Sequence, residues 1–266
     1  MGLFALLFVG FAASALGGML GMAGGIFVVP ALAIAGGYPI RVAIAASLVS
    51  VIACSSAGAA PYLRAGLTNL RLAVVLESAT ALGAVCGVAV MGALPVSVLF
   101  GLFAAILILS AQQMFARRGE VIVEPETTTD RLRLGVSRAR LRLALVLMYG
   151  AGLISALLGI GSGVLKIPAM DTALRLPIKV SSATSNLMIG VTASASAGAY
   201  FLRGAIVPDV AAPVAIGSVV GALVGARFLI KLASDRLRIL FVIVLVILAV
   251  LMVLGAAGVD VVRGAA

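Results

Sequence analysis

The sequence predicts an all-α polytopic membrane protein built from two inverted repeats. Each repeat is a glycine-broken, re-entrant helical hairpin followed by three transmembrane helices. Three observations carry this. Of the 266 residues, 63% are hydrophobic and 11% are charged, more apolar surface than a soluble domain of this size can hide from water. Apolar runs of about twenty residues recur along the whole length, the length a bilayer-spanning helix needs. They are unbroken, whereas barrel strands would alternate. Finally, the phrase GMAGGIFVVP at 21–30 returns as GIGSGVLKIP at 159–168, and a repeat of this kind decides architecture before any single element does.

The repeat extends well beyond these phrases. At an offset of 138 residues Gly21 meets Gly159, Gly25 meets Gly163 and Pro30 meets Pro168. Pro39-Ile40-Arg41 meets Pro177-Ile178-Lys179, Ser47 meets Ser185, and Tyr62 meets Tyr200. Gly83 and Gly87 meet Gly221 and Gly225, and Leu99, Leu102 and Phe103 meet Leu237, Leu240 and Phe241. The units are 3–116 and 143–257, joined by a polar, basic linker at 117–142 that contains RRGEVIVEPETTTDRLR.

Within each unit the elements follow in order. An apolar stretch at 3–35, and again at 143–174, is broken mid-way by glycines. It is too long for one ordinary span and short for two, because a helix rises about 1.5 Å per residue. A hairpin with the glycine phrase at its tip fits, either re-entrant or as two short spans. Three apolar segments follow near 42–63, 72–92 and 96–116, with partners near 180–202, 206–226 and 237–257. Gly83/Gly87 and Gly217/Gly221/Gly225 stand at GxxxG spacing and are expected to pack helices closely.

The cations test the topology. If each unit makes a returning hairpin plus three crossings, the units are inverted. Fifteen Lys and Arg then lie on the side of the linker and three on the other. If the broken stretch is one long span, the repeats are parallel and the split is eleven to seven. Positive charge concentrates on the cytoplasmic side, so the inverted arrangement is expected, with the linker cytoplasmic and both termini outside. The N-terminus MGLFALLFVGF lacks a basic n-region and reads as the start of the membrane domain rather than a cleavable signal.

Paired broken helices in inverted repeats are where secondary transporters place a substrate site. A helix break in lipid is tolerated only around a cavity or ligand. The helices starting after Gly24-Gly25 and after Ser162-Gly163 each aim free N–H groups and a positive dipole end at the gap, which suits an anion. Pro30 and Pro168 are expected to bend or end the returning arms. The stretch SSATSNLMIGVTASAS at 181–196 is more polar than a lipid-facing helix needs. From it Ser185 and Asn186, with Ser47 as the mate of Ser185, are candidate donors to an oxyanion; bonding back to their own helix is the alternative. Lys166, whose mate is Val28, is a candidate for attracting the anion; snorkelling or pairing with Asp171 is the alternative. Arg41 and Lys179 occupy equivalent flanking positions. Glu77 is the carboxylate set well inside an apolar span and the candidate for proton coupling, unless it pairs with Arg71 or Arg64.

The doubled GxxGGxxxxP-like phrase, within about eight apolar segments, resembles the TauE/SafE family of sulfite and organosulfonate exporters. The resemblance covers nearly the whole chain. The first copy fits as GMAGG through Pro30, and the second departs with Ser162 where glycine is usual. The resemblance implies transport of small sulfur-containing oxyanions such as sulfite or sulfoacetate across the cytoplasmic membrane.

Other classes fit less well. The net charge of +10 sits in the linker and at the ends of apolar runs, so nucleic acid is not an expected partner. There is no histidine, and no spacing of Cys, Asp or Glu resembles a metal site. No nucleophile–base constellation suggests an enzyme, and GIGSGVLK has the wrong spacing for a P-loop. Cys54 and Cys86 lie in apolar segments and read as packing residues. No cofactor is expected. The expected partners are a small anionic substrate and the lipid bilayer, with a second copy of the chain as a candidate. The alternative is an anion channel or a transporter for a non-sulfur small organic anion.

Overall fold

The computed structural model describes residues 1–19, 24–64, 66, 68–116, 138–174, 178–231 and 235–256. These are helical, in the order α1 (Leu3–Met19), α2 (Gly25–Pro30), α3 (Ile40–Arg64), α4 (Leu70–Met91), α5 (Val96–Ala116), α6 (Arg138–Leu158), α7 (Gly163–Leu174), α8 (Ile178–Leu202), α9 (Pro208–Lys231) and α10 (Asp235–Ala256). A π-helical turn, Ala31–Ala35, extends α2. The expected segments are present, shifted by a few residues at their ends. One boundary changes more. α6 begins at Arg138, so the end of the expected linker is helix, because the arginines of RARLRL interleave with leucines that continue the apolar pattern. Linker residues 117–137 lie outside the described residues.

Four of the helices, α3, α4, α6 and α9, are each long and apolar enough to cross a membrane. The outward faces agree. Val74, Leu82 and Val85 on α4, Val146 on α6, Ile216 and Val220 on α9 and Val246 and Val250 on α10 are all exposed. A surface this apolar is stable against lipid and not against water. The helix backbones meanwhile satisfy their own polar groups.

Both glycine-broken stretches are two helices, not one. Gly24 returns beside Ala13, where an added Cβ would come within 2.7 Å of the Ala13 carbonyl oxygen, so α2 folds back along α1. In the second half Ala144 and Met148 of α6 share an apolar cluster with Met170 and Ala173 of α7, which requires the same reversal. Pro30 ends its arm as expected, and Pro168 does not end its own. Pro30 closes α2 and the backbone widens into the π turn. Pro168 lies inside α7, which runs on to Leu174. It is the sixth residue of that helix, past the first four N–H groups, so the bond it forgoes is the one an N–H there would make to the Val164 carbonyl.

Glycines set the helix crossings. α1 packs on α9, and α4 on α6. A Cβ at Gly221 or Gly225 would strike the Phe11 or Ala15 carbonyl oxygen. One at Gly83 or Gly87 would strike that of Tyr149 or Leu153. These are the same contacts displaced by 138 residues, and in both crossings the helices run parallel. The GxxxG glycines are therefore packing residues. α3 crosses α8 in the opposite sense, with Gly190 against Ser55 and Gly58 against Asn186. α5 packs on α10, α3 on α9 and α4 on α8, so the packed pairs map onto one another when the halves are exchanged.

Candidate functional site

Two buried clusters hold most of the candidate residues. The first is where the breaks meet. Gly25, opening α2, lies against Gly159, closing α6: a Cβ at Gly25 would stand 2.6 Å from the Gly159 carbonyl oxygen and 2.9 Å from Ser47 Oγ. Ser47 on α3 donates to the Gly159 carbonyl at 2.7 Å and lies 3.4 Å from that of Gly25. Gly159 and Gly161 take φ of +66° and +65°, a region costly for other residues, and this sharp turn delivers the start of α7. Phe27 and Val28 N–H groups donate to the Gly24 carbonyl, and those of Leu165 and Lys166 to the Ser162 carbonyl. The Ser162 and Ser185 hydroxyls are buried without a hydrogen-bond partner.

The second cluster is ionic. Lys166, in the first turn of α7, is completely buried and donates from Nζ to Glu77 Oε2 on α4 at 3.0 Å. Its other partner is Thr192 Oγ1 on α8, at 2.5 Å. Thr192 donates to Glu77 Oε1 at 2.6 Å. Three helices thus close a ring of one cation, one carboxylate and one hydroxyl. A charge this deep is tolerated because each member has a charged or polar partner.

The sequence-predicted residues are therefore divided. Gly24, Gly25 and Ser47 sit at the meeting of the breaks, with Ser162 and Gly163 opening α7. Lys166 and Glu77 pair with each other. Glu77 does not take Arg71 or Arg64, both of which are exposed. Asn186 is set apart from Ser185. Adjacent residues differ by about 100° around a helix, and Asn186 points its amide at Gly58 of α3. Arg41 reaches the Leu94 carbonyl, 3.2 Å away at the end of α4, as a flanking charge does; the Lys179 side chain lies outside the described residues. Thr192 and Gly159 were not singled out. Thr192 stands seven residues after Ser185 within the polar stretch, two turns along the same face, so the helical period was the available signal. Among the described residues no group of Cys, Asp and Glu could hold a metal.

An all-helical chain with lipid-suited faces and a buried ion pair beside a helix break is a polytopic membrane protein of the transporter kind. A family model described as sulfite exporter TauE/SafE matches residues 6–252. The chain belongs to this family, which is one of membrane transporters rather than enzymes. It is also similar to a probable membrane transporter protein, YdhB, of Bacillus subtilis (strain 168), at 27% identity over 215 residues, covering 79% of this chain and 84% of that one. No solved structure matches it.

Proposed function

We propose that the protein is a secondary transporter exporting small sulfur-containing oxyanions, sulfite or sulfonates such as sulfoacetate, across the inner (cytoplasmic) membrane. Units 3–116 and 143–257 are inverted repeats, and the linker 117–142 is cytoplasmic. The reading is supported by the family and by the antiparallel crossing of α3 and α8. Repeat mates run antiparallel when the units are inverted and parallel when they are not. The anion is held where Gly24, Gly25, Ser162 and Gly163 open their helices, with Ser185 and Lys166 as further donors and Ser47 bracing the turn through the Gly159 carbonyl.

The observation that carries the mechanism is the Lys166–Glu77 pair. An anion that takes Lys166 leaves the Glu77 carboxylate buried without its partner, which is costly. Protonation of Glu77 removes that cost, so anion and proton occupy the ring together or not at all, and export follows the anion's own outward gradient while an inward proton gradient opposes it. The tight contact of Gly25 with Gly159 favours alternating access over a continuous pore.

The test is uptake of labelled sulfite into proteoliposomes with and without a pH gradient, competed by sulfate, thiosulfate, sulfoacetate and a carboxylate. Saturable uptake driven by the gradient and blocked by sulfonates is expected. In Glu77→Gln the gradient should no longer drive it. No uptake, or block by carboxylates alone, would remove the sulfur-anion assignment.

A further inference from the structure

α8 has two polar faces, and only one of them belongs to the ring. Ser181, Ser185, Thr192 and Ser196 are buried along one side. On the other side Gly190, Val191 and Ser194 meet Ser55, Ser56 and Ala59 of α3, lining an open cleft of about 210 Å³. The cleft has room for several waters or for a small oxyanion and part of its hydration shell.

The depth of this cleft is the anomaly. Ser55 and Gly190 lie more than about 13 Å from either end of their helices at 1.5 Å per residue, within the thickness of the hydrocarbon. At comparable depth α4 and α9 show lipid valine, leucine and isoleucine. Here two of the outward positions, Ser56 and Ser194, are exposed hydroxyls beside the exposed Val191. Behind them Ser55 is 1% exposed and Asn186, one turn before Gly190, is 8% exposed. Neither side chain has a hydrogen-bond partner among the described residues. Unpaired polar groups facing hydrocarbon are strongly disfavoured. Ser55 reaches the cleft because position 190 is glycine; a Cβ there would collide with its hydroxyl oxygen.

We propose that the α3–α8 cleft is a second, water-filled site for the transported oxyanion, in which the hydroxyls of Ser55, Ser56 and Ser194 are the donors. This rests on the transport reading above. No lining residue is charged, so the site takes the anion through uncharged donors. Such binding is strong enough to admit an ion and weak enough to release it onward, to the ring on the opposite face of α8.

The test uses Ser194→Cys and Ser56→Cys in a Cys86→Ser chain, in proteoliposomes, with an anionic methanethiosulfonate reagent. The nucleophile is the cysteine thiolate, which attacks the sulfenyl sulfur of the reagent and expels methanesulfinate, and it forms in water and not in lipid. Both thiols should react. Cys86 of the unsubstituted chain, on the outward face of α4, should not. Sulfoacetate at about ten times its dissociation constant should slow modification about tenfold by occupancy. Ser55→Ala, which removes the buried lining hydroxyl, should weaken this protection while the thiols still react. Unreactive thiols at both positions would overturn the proposal. Sulfoacetate flux without protection would overturn the cleft and leave the transport reading standing. Protection without flux would do the reverse, and neither would sink both.

Discussion

Breaking the Lys166–Glu77 pair one partner at a time should cost far more than removing both. At 3.0 Å two unit charges attract by roughly 5.5 kcal/mol with an effective dielectric of about 20. That attraction offsets the desolvation of each ion. Lys166→Met leaves a carboxylate at 7% exposure, and Glu77→Met leaves an ammonium at 0%. Orphaning a buried charge in this way costs about 3–5 kcal/mol, while replacing both ions by apolar side chains of similar volume is near neutral. In micelles the unfolded chain still pairs some polar groups, so each single variant is expected near the lower end, about 3 kcal/mol. The double variant is expected within about 1 kcal/mol of the parent, because the single Thr192 hydroxyl proton, released by Glu77, can turn to the Met188 carbonyl 3.0 Å away. The assay is reversible denaturant unfolding in mixed micelles followed by circular dichroism, run on all four proteins as a double-mutant cycle. Two singles that each cost less than about 1 kcal/mol and simply add would refute the reasoning, since the pair would then be hydrated or unformed.

The same titration reads the other expectations. Gly83→Ala and Gly221→Ala each drive a Cβ into a facing carbonyl and should cost similar amounts, about 1–3 kcal/mol of overpacking. Gly101→Ala and Gly198→Ala enter open space and should stay within about 0.5 kcal/mol of the parent. Ser47→Ala strips the hydrogen bond from the buried Gly159 carbonyl and should cost about 1–3 kcal/mol. Gly159→Ala combines positive φ with a Cβ 2.7 Å from the Ile44 carbonyl oxygen, and should cost more than Gly204→Ala, where φ is +66° in open space.

The helices were legible because a membrane imposes one length and one composition on every span, and the boundaries near 72–92 and 96–116 fell within two residues of α4 and α5. The hairpins were legible from glycine spacing. The pairing of Glu77 with Lys166 was not. It joins residues 89 apart in the chain on helices of different repeats, and a repeat alignment compares each position with its mate, never with its spatial neighbour. Lys166 aligned with Val28 and Glu77 with Ala215, so the repeat marked both as exceptions without saying that they were one exception. Asn186 parts from Ser185 for a different reason: a helix turns adjacent residues about 100° apart, so the two face different neighbours.

The ring also gives the repeat its sharpest test. Glu77, Lys166 and Thr192 occupy α4, α7 and α8; their mates Ala215, Val28 and Cys54 occupy α9, α2 and α3. Val28 and Cys54 are 0% and 3% exposed and Ala215 is half-buried, so the mirror corner is enclosed but carries no charge. If the two corners are structurally equivalent, the ring can be moved: Glu77→Ala, Lys166→Val and Thr192→Cys combined with Ala215→Glu, Val28→Lys and Cys54→Thr. The sextuple variant should fold with most of the parent stability, because both ions arrive with their partners. Val28→Lys alone should lose about 3 kcal/mol or more, as a buried ammonium without a carboxylate. Should the sextuple variant cost as much as that single change, while Lys166→Met/Glu77→Met stays near the parent, the two corners differ in geometry. The repeat would then reach no further than the helix crossings set by glycine.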